Sequence, residues 1–190
     1  MFALAASLAL VLPGNLAAVA APIVNNLPTL NITLTQNDLS QVHADKDLKA
    51  PTTMTLEGAG AYNIATPVAG EIKGRGNYTR SLPKRPYQIK FAKSTGLLGM
   101  APAKTWVLLA NATDASLMRN KVAFEMANDL GLAYSPESRW VDVVINGQYL
   151  GNYLVCEKTE IKTNRVDLQD PTGVLVELDN NYGEAEDYFF

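Results

Sequence analysis

Apolar and polar residues alternate along much of this chain, and the alternation predicts strands. From Leu27 to Leu34, "LPTLNITL" puts Leu30, Ile32 and Leu34 on one side of an extended segment. The runs "TTMTLEG", "GEIKGRG" and "RPYQIKF" repeat that period with turn residues between them, which predicts antiparallel strands joined by hairpins. "TWVLLAN" is a further apolar run, reached through the turn-rich "STGLLGMAPAK". In "SRWVDVVINGQYLGNYLVCEK", Asn146-Gly147 separates two β-rich runs, and this dipeptide favours positive φ at both central residues of a tight hairpin. A polar connector, "TEIKTNRVDLQDPT", then leads to another expected strand, "GVLVELD". The stretch "DLSQVHADKDLK" reads as a short polar helix or turn.

The period changes once to that of a long helix. "ASLMRNKVAFEMANDLG" follows Asp114, whose carboxylate is placed to cap free amides, and it stops at Gly131, a left-handed terminator. Met118, Val122, Met126 and Leu130 recur at four-residue steps and are expected to form a buried stripe. On that wheel Arg119 points into the interior, where a cation needs a partner, and Glu125 lies at the margin.

Composition allows a cored domain, with 190 residues and 47% hydrophobic content. The formal charge of −3 argues against a general affinity for nucleic acid. Residues 1–20 are expected to be a signal peptide: the opening "MFALAASLALVLPGNLAAVAAP" carries no charge, and Ala18-Val19-Ala20 fits a small-residue cleavage pattern. Pro13, Gly14 and Asn15 interrupt the apolar run before the ~20 residues a bilayer span needs, so no stable membrane span is expected after cleavage. Cys156 and His43 are the sole members of their types, which excludes an internal disulfide and a Cys/His metal site; His43 is expected at the surface.

Against this acidic background, "GEIKGRGNYTRSLPKRPYQIKF" crowds Lys and Arg among three glycines. Glycine lets backbone N–H groups approach a small anion, and Lys or Arg adds charge-assisted hydrogen bonds, so the segment is a candidate phosphate contact. A solvated hairpin is the plainer reading. Glu177 and Asp179 alternate on one face of the last expected strand, where they would hold Mg²⁺ or simply be solvated. Asn31, Asn77 and Asn111 match the glycosylation acceptor pattern.

The order of elements, several antiparallel strands, one capped helix, a hairpin and a polar connector, resembles the smaller lobe of a kinase. The expected fold class is therefore α+β: an antiparallel sheet lobe with one principal helix, like the N-terminal lobe of an atypical protein kinase. By that analogy Lys90 holds nucleotide phosphates, Glu125 orients it, and the segment from Glu157 to Thr163 accepts the base.

The motifs "GRGNYTR", "PKRPYQIKF", "LLGM", "WVLLAN", "SLMRNKVAFEMANDLGL", "SRWVDVVINGQYLGNYLVCEK" and "NRVDL" are, in that order and spacing, similar to the CotH kinase family of secreted and spore-coat atypical kinases. The resemblance covers residues 27–190, as the N-terminal portion of such a domain. It implies ATP-dependent phosphorylation of Ser or Thr in a protein substrate, with ATP and Mg²⁺ or Mn²⁺ as cofactors, outside the cell, on its surface or in a spore coat. It carries nucleotide contact onto Arg75, Asn77 and Lys90, with Lys84 and Arg85 as rivals for Lys90, and with Glu125, Glu157 and Glu160 as competing carboxylates. The catalytic aspartates of the family have no counterpart before Phe190, so this chain is expected to lack a catalytic lobe and to transfer no phosphate alone. Two other classes stay open: a non-catalytic secreted coat-structural or binding module, and a glycan-binding β domain.

Overall fold

The computed structural model describes residues 27–170 and 172–176. Seven strands make up most of it: β1 (Thr29–Leu34), β2 (Ala50–Glu57), β3 (Ile64–Gly74), β4 (Tyr87–Thr95), β5 (Ala103–Leu109), β6 (Ser138–Ile145) and β7 (Gln148–Glu157). Two helices accompany them, α1 (Leu39–Ala44) and α2 (Arg119–Asp129), with single 3-10 turns at Gly60–Tyr62 and Tyr78–Ser81. The sheet order is β1-β2-β3-β4-β5-β7-β6, and it closes on itself. Every neighbouring pair is antiparallel except β1 with β6, which run parallel from Thr29 opposite Asp142 to Ile32 opposite Ile145.

That closure overturns the expected fold class. The protein is a closed seven-stranded β-barrel with little helix, rather than an α+β kinase N-terminal lobe built around a principal helix. The individual strands were legible from their period of two, but closure depends on one parallel contact between segments over a hundred residues apart. The turn of the β6–β7 hairpin fixes it. Asn146 (φ 50°) and Gly147 (φ 78°) form the expected tight turn, and Asn146 also clamps β1: its Oδ1 accepts from Leu34 N at 2.8 Å, and its own N donates to Ile32 O at 2.9 Å.

The core fills the barrel. Leu30, Ile32, Met54, Leu56, Ile72, Tyr87, Ile89, Phe91, Trp106, Leu108, Val141, Val143, Tyr153 and Val155 are buried, alternating with outward residues as a barrel wall requires. Gly70 shows how closely the wall is packed. A Cβ there would lie 2.3 Å from Met54 Cε and 2.5 Å from the Lys90 carbonyl oxygen.

Because the barrel is its own second layer, no inner sheet face is left for a helix to cover, and the expected buried stripe on α2 is absent. None of its residues is buried; Met118 is 45% exposed and Leu130 75%. The helix starts at Arg119, later than expected, although Asp114 does supply a cap through Arg119 N to Oδ2 at 2.8 Å. Gly131 (φ 70°) ends it. Arg119 faces solvent beside Asp114, at 3.7 Å, and the buried arginine is a different one, Arg165. Of the expected strand "GVLVELD", residues 173–176 are not in a strand; the remainder, including Glu177 and Asp179, and the expected signal peptide lie outside the described residues. No described helix is long and apolar enough to cross a membrane.

Candidate functional site

Two adjoining cavities of about 300 and 450 Å³ share Arg75, Leu109 and Asn120 and together form a groove on the outside of the barrel. Its floor is the outward face of β5 and β7. Period-two alternation that sends Trp106 and Leu108 inward turns Val107 and Leu109 outward, and Val107 pairs with Cys156. Asn120 and Phe124 of α2 form one wall. Arg75, just past the end of β3, overlooks both cavities, and the chain leaving β7 through Glu157, Lys158 and Thr159 makes the far rim.

The loop between β5 and α2 is rigidly tied. Asn111 takes a positive φ of 49° and donates from Nδ2 to Leu117 O at 2.8 Å, while its Oδ1 accepts from Asn120 Nδ2 at 2.7 Å. Asp114 caps the helix from the same loop, and its hydrogen bonds from Ser116 and Arg119 hold its carboxyl below the ordinary value. The Asn120 amide oxygen is thereby aimed by its neighbours rather than left to rotate.

At the far rim, Glu157 is buried and bound into a cluster. Its Oε1 meets Arg165 Nη1 at 2.5 Å, and its Oε2 accepts from Glu137 N at 3.2 Å and Tyr134 Oη at 3.3 Å. Arg165 lies over the Trp106 ring, 4.9 Å from its centroid. Burial is the largest influence on the Glu157 carboxyl and pushes it up, opposed by the Glu137 N–H, the Arg165 guanidinium and the Tyr134 hydroxyl. This carboxylate is committed to holding the connector against the barrel. Beyond it, Lys158 and Thr159 carry the chain along the rim of the cavity. Cys156, in the floor, has its thiol pushed up to about 12 by burial.

The sequence-derived candidates separate in space. Arg75 and Glu157 line the same cavity. Asn77 is exposed at the start of the Tyr78–Ser81 turn and lines neither cavity of the groove. Lys90 does project outward between the buried Ile89 and Phe91, as alternation requires, but it sits opposite Glu71 and Thr105 and lines neither cavity. Glu125 is exposed on α2 and paired with Lys121, one turn back, rather than with Lys90. Lys84 and Arg85 line a separate cavity, which shares no residue with the groove. Asn120 stands in the family-like run "LMRN", whose plain part is to tie the helix to a neighbouring loop, and it makes that hydrogen bond to Asn111; Arg165 stands in the family-like "NRVDL", which by itself gives the residue no part.

A family model described as "CotH kinase protein" matches residues 72–188, more than half of the chain and the segment that carries this groove. Inner spore coat protein H of Bacillus subtilis (strain 168) is 33% identical over 90 residues, which is 47% of this chain and 24% of that protein. The matched stretch thus spans about a quarter of that relative's length.

Proposed function

The chain belongs to the CotH kinase protein family, and from that premise we propose that it is the nucleotide-contacting part of an ATP-dependent protein kinase acting in a spore coat or outside the cell. The observation that carries the reading is the groove itself. Its apolar floor of Val107 and Leu109, with Phe124 beside it, suits a flat base; the Lys158–Thr159 backbone at one rim suits the base's hydrogen-bonding edge; and Arg75 supplies a guanidinium for phosphate oxygens. Asn120 would fix orientation from the helix side. Arg75 and Glu157 thus keep places at the nucleotide, Arg75 by contact and Glu157 by positioning the rim.

Among the described residues no group of three or more His, Cys, Asp or Glu side chains is arranged to hold a metal by itself, and no step is derived through Mg²⁺ or Mn²⁺. What these residues do is bind, orient and shield one side of a nucleotide; phosphoryl transfer then depends on carboxylates that position the acceptor hydroxyl.

Calorimetric titration of the chain with ATP tests the reading. Arg75→Gln is expected to weaken binding about tenfold to a hundredfold, as loss of a charge-assisted contact does. Lys93→Gln, an exposed control, should leave it unchanged. Equal loss from both, or none from Arg75→Gln, would reject the groove as the site. A second reading, a non-catalytic coat-structural module, is favoured by the likeness to the Bacillus inner spore coat protein H. ATP binding without label transfer to a Ser-rich acceptor, in the natural full-length protein, would select it.

A further inference from the structure

At one mouth of the barrel lies a cavity of about 560 Å³, lined by His43 of α1, Lys84 and Arg85 before β4, Tyr87, and Tyr149 and Tyr153 of the β6–β7 hairpin. Mouths of β-barrels are preferred places for small ligands, and this volume suits a sugar-sized body. The walls are aromatic: the Tyr87 and Tyr153 rings are 6.2 Å apart and His43 stacks on Tyr87 at 5.9 Å.

Two cations, Lys84 and Arg85, stand at this mouth. Lys84 is half-buried with its ammonium 4.8 Å from the Tyr153 centroid, and it donates to the Asn152 carbonyl oxygen. Among the described residues no ion pair within 4 Å is seen for Lys84 or Arg85; the buried Asp142 attracts the Lys84 ammonium and accepts from Tyr149 Oη at 3.1 Å. Burial therefore pulls the Lys84 ammonium below its ordinary value, with Asp142 opposing. His43 packs beside them: its Nε2 is 2.7 Å from Tyr87 Oη, and burial, then Arg85 and Arg80, pull its ring below its ordinary value. An ammonium taken partly out of water beside a second cation, in an otherwise acidic protein, is offset best by an anion entering from the open side.

We propose that this mouth is a second binding site, distinct from the groove, for a small sugar-sized molecule bearing one carboxylate or phosphate, with Lys84 and Arg85 on the oxyanion and the exposed Tyr149 ring against the body. The inference does not depend on nucleotide binding at Arg75.

His43 is the sole histidine of the chain, so its ring protons give isolated NMR signals at the site. Titration with glucuronate and with glucose 6-phosphate is expected to shift them saturably, the two probes separating a carboxylate from a phosphate source, while glucose at equal concentration leaves them unmoved. Lys84→Gln should weaken the better acid tenfold or more, yet leave ATP affinity as in the parent. If Lys84→Gln fails to show a cooperative thermal transition, Arg85→Gln takes its place, with the same loss expected. Resonances that stay still with both acids, that move equally with glucose, or an acid affinity unchanged in the folded variant would each overturn the proposal.

Discussion

Removing the Arg165 guanidinium while keeping its stem, as Arg165→Met, should be among the most damaging single changes in this protein. The side chain is fully buried, its partner Glu157 is 5% exposed, and the two are joined at 2.5 Å. Nη1 also donates to Asn164 O at 2.6 Å, and the guanidinium lies on Trp106. Breaking a buried pair by deleting one partner costs about 3–5 kcal/mol, because the other charge is left in a poorly solvating place. Methionine refills most of the volume, so a cavity adds little, and loss of the cation–π contact adds roughly 0.5–2 kcal/mol. For a chain of this size each kcal/mol lowers Tm by about 2–4 °C, giving a fall of roughly 7–28 °C. Urea denaturation followed by tryptophan fluorescence measures the free energy, and Trp106 sits at the perturbed site.

Glu157 gives the same variant a pH dependence. Its folded carboxyl is already raised by burial, and removal of Arg165 raises it further. A carboxyl with its folded value above the unfolded ~4.3 disfavours folding at high pH, and the penalty fades as pH falls through the folded value toward the unfolded one. Arg165→Met should therefore lose less stability, relative to the parent, at pH 5 than at pH 8. Adding Glu157→Gln should recover about 2 kcal/mol or more, since a neutral amide remains and Glu137 N can still donate to its carbonyl. A single-variant loss under about 1 kcal/mol, or a double variant no more stable than Arg165→Met, would refute the argument that an unpaired buried charge is the cause.

The Cys156 thiol, buried and raised to about 12, should react with a thiol reagent at pH 8 only as fast as the protein opens, and labelling at a free-thiol rate would contradict its burial. His43 is held below its ordinary value of 6.5, so the unfolded chain takes up its proton first on acidification; thermal scans should show stability falling as pH drops below that value, with the slope reduced in His43→Gln and not in Lys93→Gln. Gly70→Ala should destabilise by about 1–3 kcal/mol by forcing β3 off the Lys90 carbonyl, whereas Gly60→Ala meets no atom within 4 Å and tests only the strain of a positive φ; equal losses by denaturant titration would count against close strand packing.

The strands, the Asn146-Gly147 hairpin and the end of α2 at Gly131 were determined locally, because alternation and turn chemistry act over a few residues and leave a direct mark on sequence. The family was equally legible, since linked motifs in register survive even when their geometry is unknown. Closure was not. The β1–β6 contact joins segments separated by most of the domain, and a strand that pairs parallel carries the same alternation as one that pairs antiparallel. That single tertiary fact decided the fate of α2, whose four-step apolar pattern reads as a core face but has no open sheet to cover. It also decided the site. Lys84 and Arg75 lie nine positions apart in one basic segment, yet the barrel wall turns Arg75 toward the groove and Lys84 toward the mouth. Glu157, one of several acidic candidates by sequence, acquired its partner only when the connector folded back to bury Arg165 against Trp106. Local residue pattern sets which side of a strand a group occupies; only the closed sheet sets what stands on that side with it.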